Sequence, residues 1–432
     1  MTFLALLALL IGFLYLGLPM FAGMMIFSGA VLLFAEGSLG TLGEFVFGKL
    51  NTYLLVAIPL FMLMATFMVR GKVVDDLYHA AHVFTRHLPG GLGVATVAAC
   101  GVFAAVSGSS VATALTIGAV ALPQMLRYGY DPRGAYGVVA AGGTLGILIP
   151  PSAPMVLFGI ASDTSIGALF MAGVFPGLML AAIFAAWCMW GEWRRERRSG
   201  ARNRPPRADW GEMAAALRRA FWALTLPPVV LGGIYLGVFT ATEAAGIGAL
   251  WAAAIAVVVY RRFGWRDLWE GAGDAARTTA VLFAIIIGAA MYGFMLAKLG
   301  IPDGLVKLVV EWKLSRIEFL LATMALVFVL GLVLESISII LITTPVVMPV
   351  LKQLGIDPVW YGVLLTINLE LALISPPVGM NLVVIKQIAG VPLYEVERAA
   401  LPYMVLMGIA ILLVVAFPGL ALWLPSTMQL GR

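Results

Sequence analysis

The sequence is poor in the side chains that soluble enzymes and metal proteins use. Its 432 residues include two cysteines and three histidines, and only 11 % are charged, whereas 62 % are hydrophobic. So few charges are insufficient to cover the surface of a soluble chain of this length. A soluble enzyme, a nucleic-acid-binding protein and a secreted disulfide scaffold are therefore excluded. The 48 glycines, 23 prolines and 11 tryptophans are typical of a helical membrane protein.

Motifs for nucleotide hydrolysis, metal catalysis and covalent catalysis are also missing. No phosphate-binding loop, HExxH or GxSxG pattern occurs, so we expect neither an ATPase nor any other enzyme, and no cofactor. His79, His82 and His87 share one polar connector, which favours a solvated helix face over a metal site. The N-terminus has no basic leader or cleavage site, and we interpret it as membrane-embedded.

Long apolar runs alternate with short polar connectors along the chain. About 20 residues cross a bilayer, so the length allows about ten crossings. The runs cover residues 2–18, 20–35, 51–70, 91–122, 134–162, 165–193, 221–238, 243–260, 278–297, 317–349, 359–387 and 400–424. The pattern predicts an all-α polytopic membrane protein.

The two halves of the sequence repeat each other. A shift of 226 residues superposes Ser110 on Ser336, and it also superposes Pro150-Pro151 on Pro376-Pro377. Matches at glycine and proline carry more weight than matches at leucine, because these residues fix backbone geometry. The predicted domains are a first repeat at 1–193, a basic connector at 194–219, and a second repeat at 220–432.

Each repeat contains two interrupted runs. SGSS interrupts run 91–122 and ESIS interrupts run 317–349, which leaves arms too short to cross a bilayer and favours re-entrant helical hairpins. Prolines interrupt runs 134–162 and 359–387, which we interpret as broken helices.

The basic residues support an inverted arrangement of the repeats. If the hairpin of each half enters and leaves the membrane on the same side, each half crosses the membrane five times. Because five is odd, the second half has the opposite orientation in the membrane. If the central connector is cytoplasmic, 20 of the 27 basic residues lie on the cytoplasmic side. Both termini are then periplasmic.

The broken helices create polar backbone at membrane depth. Because Pro150 and Pro151 donate no hydrogen bond, the carbonyls of Gly146 and Ile147 lose their helical donors, and the pair at 376–377 does the same in the second repeat. A dehydrated cation would satisfy such carbonyls, and the half-helix that starts after each break suits a carboxylate. The alternative is a packing kink satisfied by hydroxyls or water.

Carboxylates within the apolar runs have two open interpretations. Glu335, at the second hairpin tip, and Glu370 are either proton carriers or cation ligands, or they are structural and hydrogen-bonded to neighbouring hydroxyls. Ser109 and Thr144 occupy the corresponding positions of the first repeat. Glu243 is predicted to cap a helix.

Four stretches resemble one transporter family. The chain is similar over nearly its whole length to the large membrane subunit, DctM type, of tripartite ATP-independent periplasmic (TRAP) transporters. The stretches are VSGSSVATA (106–114), GYDPRGAYGVVAAGGTLGILIPPS (129–152), GVFTATEAAGIGALWA (237–252) and ISPPVGMNL (374–382). Ala241 departs from the family pattern, which has proline there.

The resemblance implies an elevator-type secondary transporter in the bacterial inner membrane, driven by sodium ions. Its implied partners are a small four-helix membrane subunit and a periplasmic substrate-binding protein. The implied substrate is a small organic anion, such as a C4-dicarboxylate, sialic acid or another carboxylate.

The resemblance also implies where ligands bind. The implied sodium ligands are Ser107, Ser110, Gly146, Ile149 and Pro151 in the first repeat, and Ser336, Ser375, Pro377 and Gly379 in the second. The implied substrate-binding residues are Ser109, Thr113, Ser152, Met380 and Asn381. The main alternative function is a stand-alone sodium–dicarboxylate symporter, which would need no partner protein; a channel or an intramembrane enzyme is less compatible with the sequence.

Overall fold

The protein is helical throughout the part that the structure describes. This computed structural model describes residues 2–14, 17–71, 73–200, 204–261 and 264–428, and no β-strand occurs within these ranges. The predicted all-α architecture is confirmed.

Twenty α-helices follow one another within those ranges. In the first half they are α1 (Thr2–Leu14), α2 (Met20–Glu36), α3 (Leu42–Leu50), α4 (Ala57–Arg70), α5 (Val74–Thr85), α6 (Gly91–Ser107), α7 (Ser110–Arg127), α8 (Pro132–Leu148), α9 (Ala153–Ser162) and α10 (Ile166–Ser199). In the second half they are α11 (Trp210–Tyr235), α12 (Ala241–Ala254), α13 (Trp265–Lys298), α14 (Ile301–Glu311), α15 (Arg316–Gly331), α16 (Ser336–Leu354), α17 (Pro358–Leu373), α18 (Met380–Ala389), α19 (Leu393–Ala416) and α20 (Gly419–Ser426).

Eight helical stretches within the described residues are long and apolar enough to cross a membrane. They are Tyr53–Arg70, Pro132–Ser162, Ile166–Ser199, Trp210–Tyr235, Ala241–Val259, Trp265–Lys298, Ser336–Leu354 and Leu393–Ala416. Shorter apolar helices, among them α6 and α17, pack between them. The protein is therefore a multi-pass membrane protein.

Two helical hairpins are formed within this series, and arm α16 of the second is itself long and apolar enough to cross, unlike the short arm that the sequence predicted. Only Gly108 and Ser109 separate α6 from α7, and residues 332–335 separate α15 from α16. The two arms of each hairpin contact each other. The arms are longer than the sequence predicted, because α7 continues through Pro123 and α16 through Pro349. Their lengths of 16 to 19 residues correspond to roughly 24–29 Å.

Each hairpin is followed by a helix that breaks at a Pro-Pro pair. The first break separates α8 from α9, and the second separates α17 from α18. An aspartate and a proline start α8 and α17 in the same way. Asp131 Oδ2 accepts a hydrogen bond from the Gly134 amide (2.8 Å), and Asp357 Oδ1 accepts one from Val359 (2.7 Å).

The two halves cross over in the core. Arm α7 of the first hairpin packs on α18 of the second half, and arm α16 of the second hairpin packs on α9 of the first. Helices α8 and α17 contact each other, and α8 is buried from Ala135 to Leu148. Helices α2, α4, α12 and α13 form a second set of mutual contacts that reaches the hairpins through α4 and α13.

The basic connector and the start of α12 can each be compared with what the sequence predicted. The basic connector is more helical than the charge pattern indicated, since α10 continues to Ser199 and α11 begins at Trp210. Arginines in its first part stack on tryptophans of the same helix, which allows α10 to continue into the polar region. The predicted cap is confirmed, since Glu243 and Thr240 form a reciprocal capping box at the start of α12.

Candidate functional site

The first hairpin tip is inserted against the first broken helix. Gly108 has φ +58°, and a Cβ added there would lie 2.8 Å from the carbonyl oxygen of Pro151. A Cβ at Gly146 would lie 2.4 Å from the Ser109 carbonyl oxygen and 2.7 Å from Thr113 Oγ1. Glycine is required at both positions, because any side chain would separate the tip from α8.

Hydroxyl and carbonyl oxygens converge at this tip. Ser107 Oγ and Thr113 Oγ1 are 2.7 Å apart, and the Thr113 hydroxyl donates to the Ser109 carbonyl at 2.8 Å. Ser107 and Thr113 are buried, and the Pro151 carbonyl faces Gly108. The structure therefore brings together three predicted sodium-site residues (Ser107, Gly146 and Pro151) and two predicted substrate-site residues (Ser109 and Thr113). We name these five residues the tip-1 cluster.

Ser110 points away from these hydroxyls and towards the second half. Asn381 Nδ2 donates to Ser110 Oγ at 2.8 Å and also contacts the Ala140 carbonyl oxygen at 3.2 Å. Asn381 is fully buried, and its Oδ1 atom has no hydrogen-bond partner among the described residues. The sequence placed Ser110 and Asn381 in different sites, whereas the structure joins them across the two repeats.

The remaining predicted residues of the first half lie at the break. The Ile149 amide bonds to the Leu145 carbonyl (3.0 Å), and its side chain packs against Gly177 of α10. Ser152, directly before α9, is buried, and its hydroxyl has no partner among the described residues. This hydroxyl is therefore a buried polar group at the break whose hydrogen-bonding capacity is not used by the described residues.

The second tip is more open than the first. Ser336 is half-buried at the start of α16, and Ser375 Oγ donates to the Leu371 carbonyl at 2.7 Å. Gly379 has φ +41° and lies close to the Ser375 carbonyl oxygen. Pro377 and Met380 are exposed, Met380 by 40 %. Ser375 and Gly379 are adjacent, and among the described residues no hydrogen bond joins Ser336 to this turn.

The two acidic residues of interest differ in their surroundings. Ser338 Oγ donates to Glu335 Oε1 at 3.1 Å beside the second tip. Glu370, in contrast, is fully buried in α17, and neither of its carboxyl oxygens has a hydrogen-bond partner among the described residues. The sequence interpretation gave Ser338 no role of its own, but one of its two alternatives, a carboxyl hydrogen-bonded to a neighbouring hydroxyl, describes Glu335.

A classical metal centre is not formed by the described residues. They contain no group of three or more histidine, cysteine, aspartate or glutamate side chains able to hold a metal. Both cysteines are buried and unpaired. The oxygens of the tip-1 cluster instead suit a hard monovalent cation, for which hydroxyl and carbonyl oxygens are ligands of choice.

Comparisons with known proteins identify the family. The family model of the tripartite ATP-independent periplasmic transporter, DctM component, matches residues 7–420. The chain belongs to this family. It is 38 % identical over 406 residues to the C4-dicarboxylate TRAP transporter large permease protein DctM of Pseudomonas aeruginosa, with 94 % of each chain covered. It is also 38 % identical to the protein of the same name from Rhodobacter capsulatus, with 89 % of each chain covered.

A solved structure shares the overall fold. The crystal structure of the Alcanivorax borkumensis YdaH transporter superposes with a TM-score of 0.63 at 15 % identity, covering 93 % of this chain and 91 % of that chain. Family membership makes the chain a TRAP transporter large permease subunit and not an enzyme. Large permeases of this family work with a small membrane subunit and a periplasmic binding protein.

Proposed function

We propose that this TRAP permease imports a small organic anion together with sodium ions across the bacterial inner membrane. The observation that supports sodium as the coupling ion is the tip-1 cluster, in which buried hydroxyl and carbonyl oxygens converge without any acidic side chain. A proton needs a titratable group, whereas sodium needs only oxygen ligands. Sodium therefore fits the cluster better than a proton does.

The proposed sodium ligands of the first repeat are Ser107, Ser110, Gly146, Ile149 and Pro151, and of these Ser110 also accepts a hydrogen bond from Asn381. The proposed ligands of the second repeat are Ser336, Ser375, Pro377 and Gly379. Ser375 and Gly379 support these second-repeat ligands, since both residues are buried and the Ser375 carbonyl faces Gly379.

The proposed substrate position lies between the two tips. Ser152 supports it, because its buried hydroxyl has no hydrogen-bond partner within the described part of the chain. Half-exposed Ser109 and exposed Met380 would face the same space, whereas Thr113 and Asn381 are buried and would position it from behind. The first substrate class to test is a C4-dicarboxylate, for which the two relatives are named.

The proposed cycle is an elevator movement in a membrane-inverted repeat. The hairpins and broken helices would move as one unit relative to α2, α4, α12 and α13, because the two halves of that unit pack across each other. The proposed partners are a small four-helix subunit and a periplasmic binding protein. The small subunit would hold α2, α4, α12 and α13 in place, and the binding protein would deliver the anion.

The experiment is uptake of a labelled C4-dicarboxylate into proteoliposomes that contain both membrane subunits. We expect uptake only with an inward sodium gradient and with the binding protein outside. Full uptake on a pH gradient without sodium would refute sodium coupling. Uptake of free substrate by this chain alone would instead establish the stand-alone symporter.

A further inference from the structure

A basic cavity lies far from the two tips, between the starts of α8 and α19 and the polar end of α10. Its volume is about 400 Å³. Three arginines from three different helices line it: Arg133 of α8, Arg195 of α10 and Arg398 of α19. All three are exposed, although Arg195 Nη1 donates to the Gly129 carbonyl oxygen at 3.2 Å and the Arg398 guanidinium lies 5.7 Å from the centre of the Tyr394 ring.

Two carboxylates also line this cavity, and Glu192 shares Arg195 with any ligand bound there. The Asp131 carboxylate caps α8 through the Gly134 amide (2.8 Å), and Glu192 lies 3.8 Å from Arg195. A second depression adjoins the cavity at Arg195, and it is lined by Arg194 and Arg198. The arginines outnumber the carboxylates, so the whole region attracts an anion.

Aromatic side chains show where the cavity lies relative to a bilayer. Trp187, Trp190 and Trp193 follow one another on α10 directly before its basic end. The Arg194 guanidinium stacks 3.8 Å from the centre of the Trp190 ring, and Arg197 lies 4.0 Å from Trp193. Tryptophan next to arginine at the end of an apolar helix is typical of the membrane–water interface.

Polar groups form the inner wall of the cavity. The Tyr403 hydroxyl and Cys188 Sγ are 3.4 Å apart, and both residues are buried. The hydroxyl and the thiol are partners of each other, so the wall beneath the arginines is closed and a headgroup would remain at the level of the guanidinium groups.

Exposed apolar surface continues from the cavity towards the apolar part of the molecule. On α19, Leu401, Val405, Ile409 and Leu412 are spaced at helical intervals and are 45–64 % exposed. On α10, Leu178 is 56 % exposed. A free inorganic phosphate would use only the arginines, whereas a phospholipid would use the arginines and this apolar surface together.

We propose that the cavity lined by Arg133, Arg195 and Arg398 binds the phosphate headgroup of an anionic phospholipid. Arginine guanidinium groups bind phosphate oxygens in a bidentate manner, and three helices supply them around one headgroup. The acyl chains lie along the exposed faces of α19 and α10. The lipid thereby ties α8 and α19, which belong to different repeats, to α10.

The test measures lipid binding to the full chain in neutral detergent by native mass spectrometry. The probes are dioleoyl phosphatidylglycerol, dioleoyl phosphatidylcholine and inorganic phosphate. The site variant combines Arg133→Gln, Arg195→Gln and Arg398→Gln. The control combines Arg127→Gln, Arg207→Gln and Arg277→Gln, which removes the same charge from exposed arginines outside the cavity.

We expect phosphatidylglycerol to bind the wild type and the control with similar affinity, and the site variant roughly 100-fold more weakly. Each single substitution should weaken binding by roughly fivefold, which keeps the test decisive if the triple variant does not fold. Equal binding by the wild type and the variants, or equal binding of phosphatidylcholine, would overturn the proposal. Displacement of the lipid by inorganic phosphate at comparable concentration would assign the cavity to free phosphate instead.

Discussion

The side chain of Asn381 donates a hydrogen bond to Ser110 Oγ across 2.8 Å, joining the start of α18 to the start of α7. The two residues are 271 positions apart and belong to different repeats. Both residues are buried, so loss of the Asn381 amide removes this donor from Ser110 Oγ, whereas loss of the Ser110 hydroxyl leaves Asn381 Nδ2 with the Ala140 carbonyl alone.

A double-mutant cycle measures this contact. We expect Asn381→Ala to lower the free energy of unfolding by about 1–3 kcal/mol, and the Ser110→Ala/Asn381→Ala pair to show coupling of about 1 kcal/mol. Thermal unfolding of the purified protein in detergent is the measurement. The control pairs Asn381→Ala with Ser162→Ala, whose hydroxyl bonds within its own helix. Additivity in both pairs would contradict a direct contact.

Ser107 offers the sharpest test of the proposed sodium site. Ser107→Ala removes one oxygen from the tip-1 cluster while leaving a good helix former in α6. We expect the apparent sodium affinity in uptake assays to fall roughly ten- to hundredfold, because a ligand to a charged partner is worth about 1.5–3 kcal/mol. Ser162→Ala should keep the wild-type sodium dependence. If Ser107→Ala does so as well, the cluster only holds the tip in place.

Gly146 tests whether close contact between tip and helix matters. Gly146→Ala places a Cβ 2.4 Å from the Ser109 carbonyl oxygen, so the tip must move. We expect loss of uptake and destabilisation by about 1–3 kcal/mol. Gly408→Ala is the matched control, since nothing lies within 4 Å of its added Cβ in α19. That variant should be neutral or slightly stabilising. Wild-type uptake by the Gly146 variant would contradict the observed packing.

Glu370 distinguishes a structural carboxyl from a proton carrier. Glutamine has nearly the same shape and cannot ionise, so we expect Glu370→Gln to fold and to retain sodium-driven uptake. Stability is measured by thermal unfolding and uptake in the same preparation. A folded variant that transports nothing would show that the cycle needs an ionisable group at this position.

Labelling of single cysteines from each side of the membrane tests the predicted topology. Cysteine at Arg207 or Glu212 should react only with reagent from the cytoplasm, and cysteine at Lys313 only from the periplasm, because basic residues concentrate on the cytoplasmic side. Background labelling should be low, since Cys100 and Cys188 are buried. Labelling of residue 207 from the periplasm would contradict the inverted arrangement.

Much of the fold could be predicted because the residues that start and break helices can be recognised in the sequence. The aspartate–proline pairs that start α8 and α17 and the Pro-Pro pairs that end them repeat at one fixed spacing, so the broken helices were located closely. The hairpins were located too, but their arms were predicted too short. The apolar run of the first hairpin ended at residue 122, whereas α7 continues through Pro123 to Arg127, and α16 continues through Pro349 to Leu354.

Contacts between the repeats could not be predicted from the sequence. Ser110 and Ser336 occupy equivalent positions, yet Ser110 is buried against Asn381 while Ser336 is half-buried. Their different surroundings depend on which helix of the other half lies opposite, and this depends on the three-dimensional arrangement. Repeat symmetry therefore locates both tips but does not assign the partner of any one hydroxyl.

The reciprocal packing of α7 on α18 and of α16 on α9 has a consequence for how such a gene can be divided. Each half covers one hairpin arm of the other half. A fragment that ends near Gly200 therefore lacks α18 and leaves the contact face of α7 uncovered. A second fragment beginning near Trp210 leaves α16 in the same condition. Gene fission in the connector would thus yield two polypeptides that depend on co-translation and mutual assembly, and neither would be a smaller version of the whole.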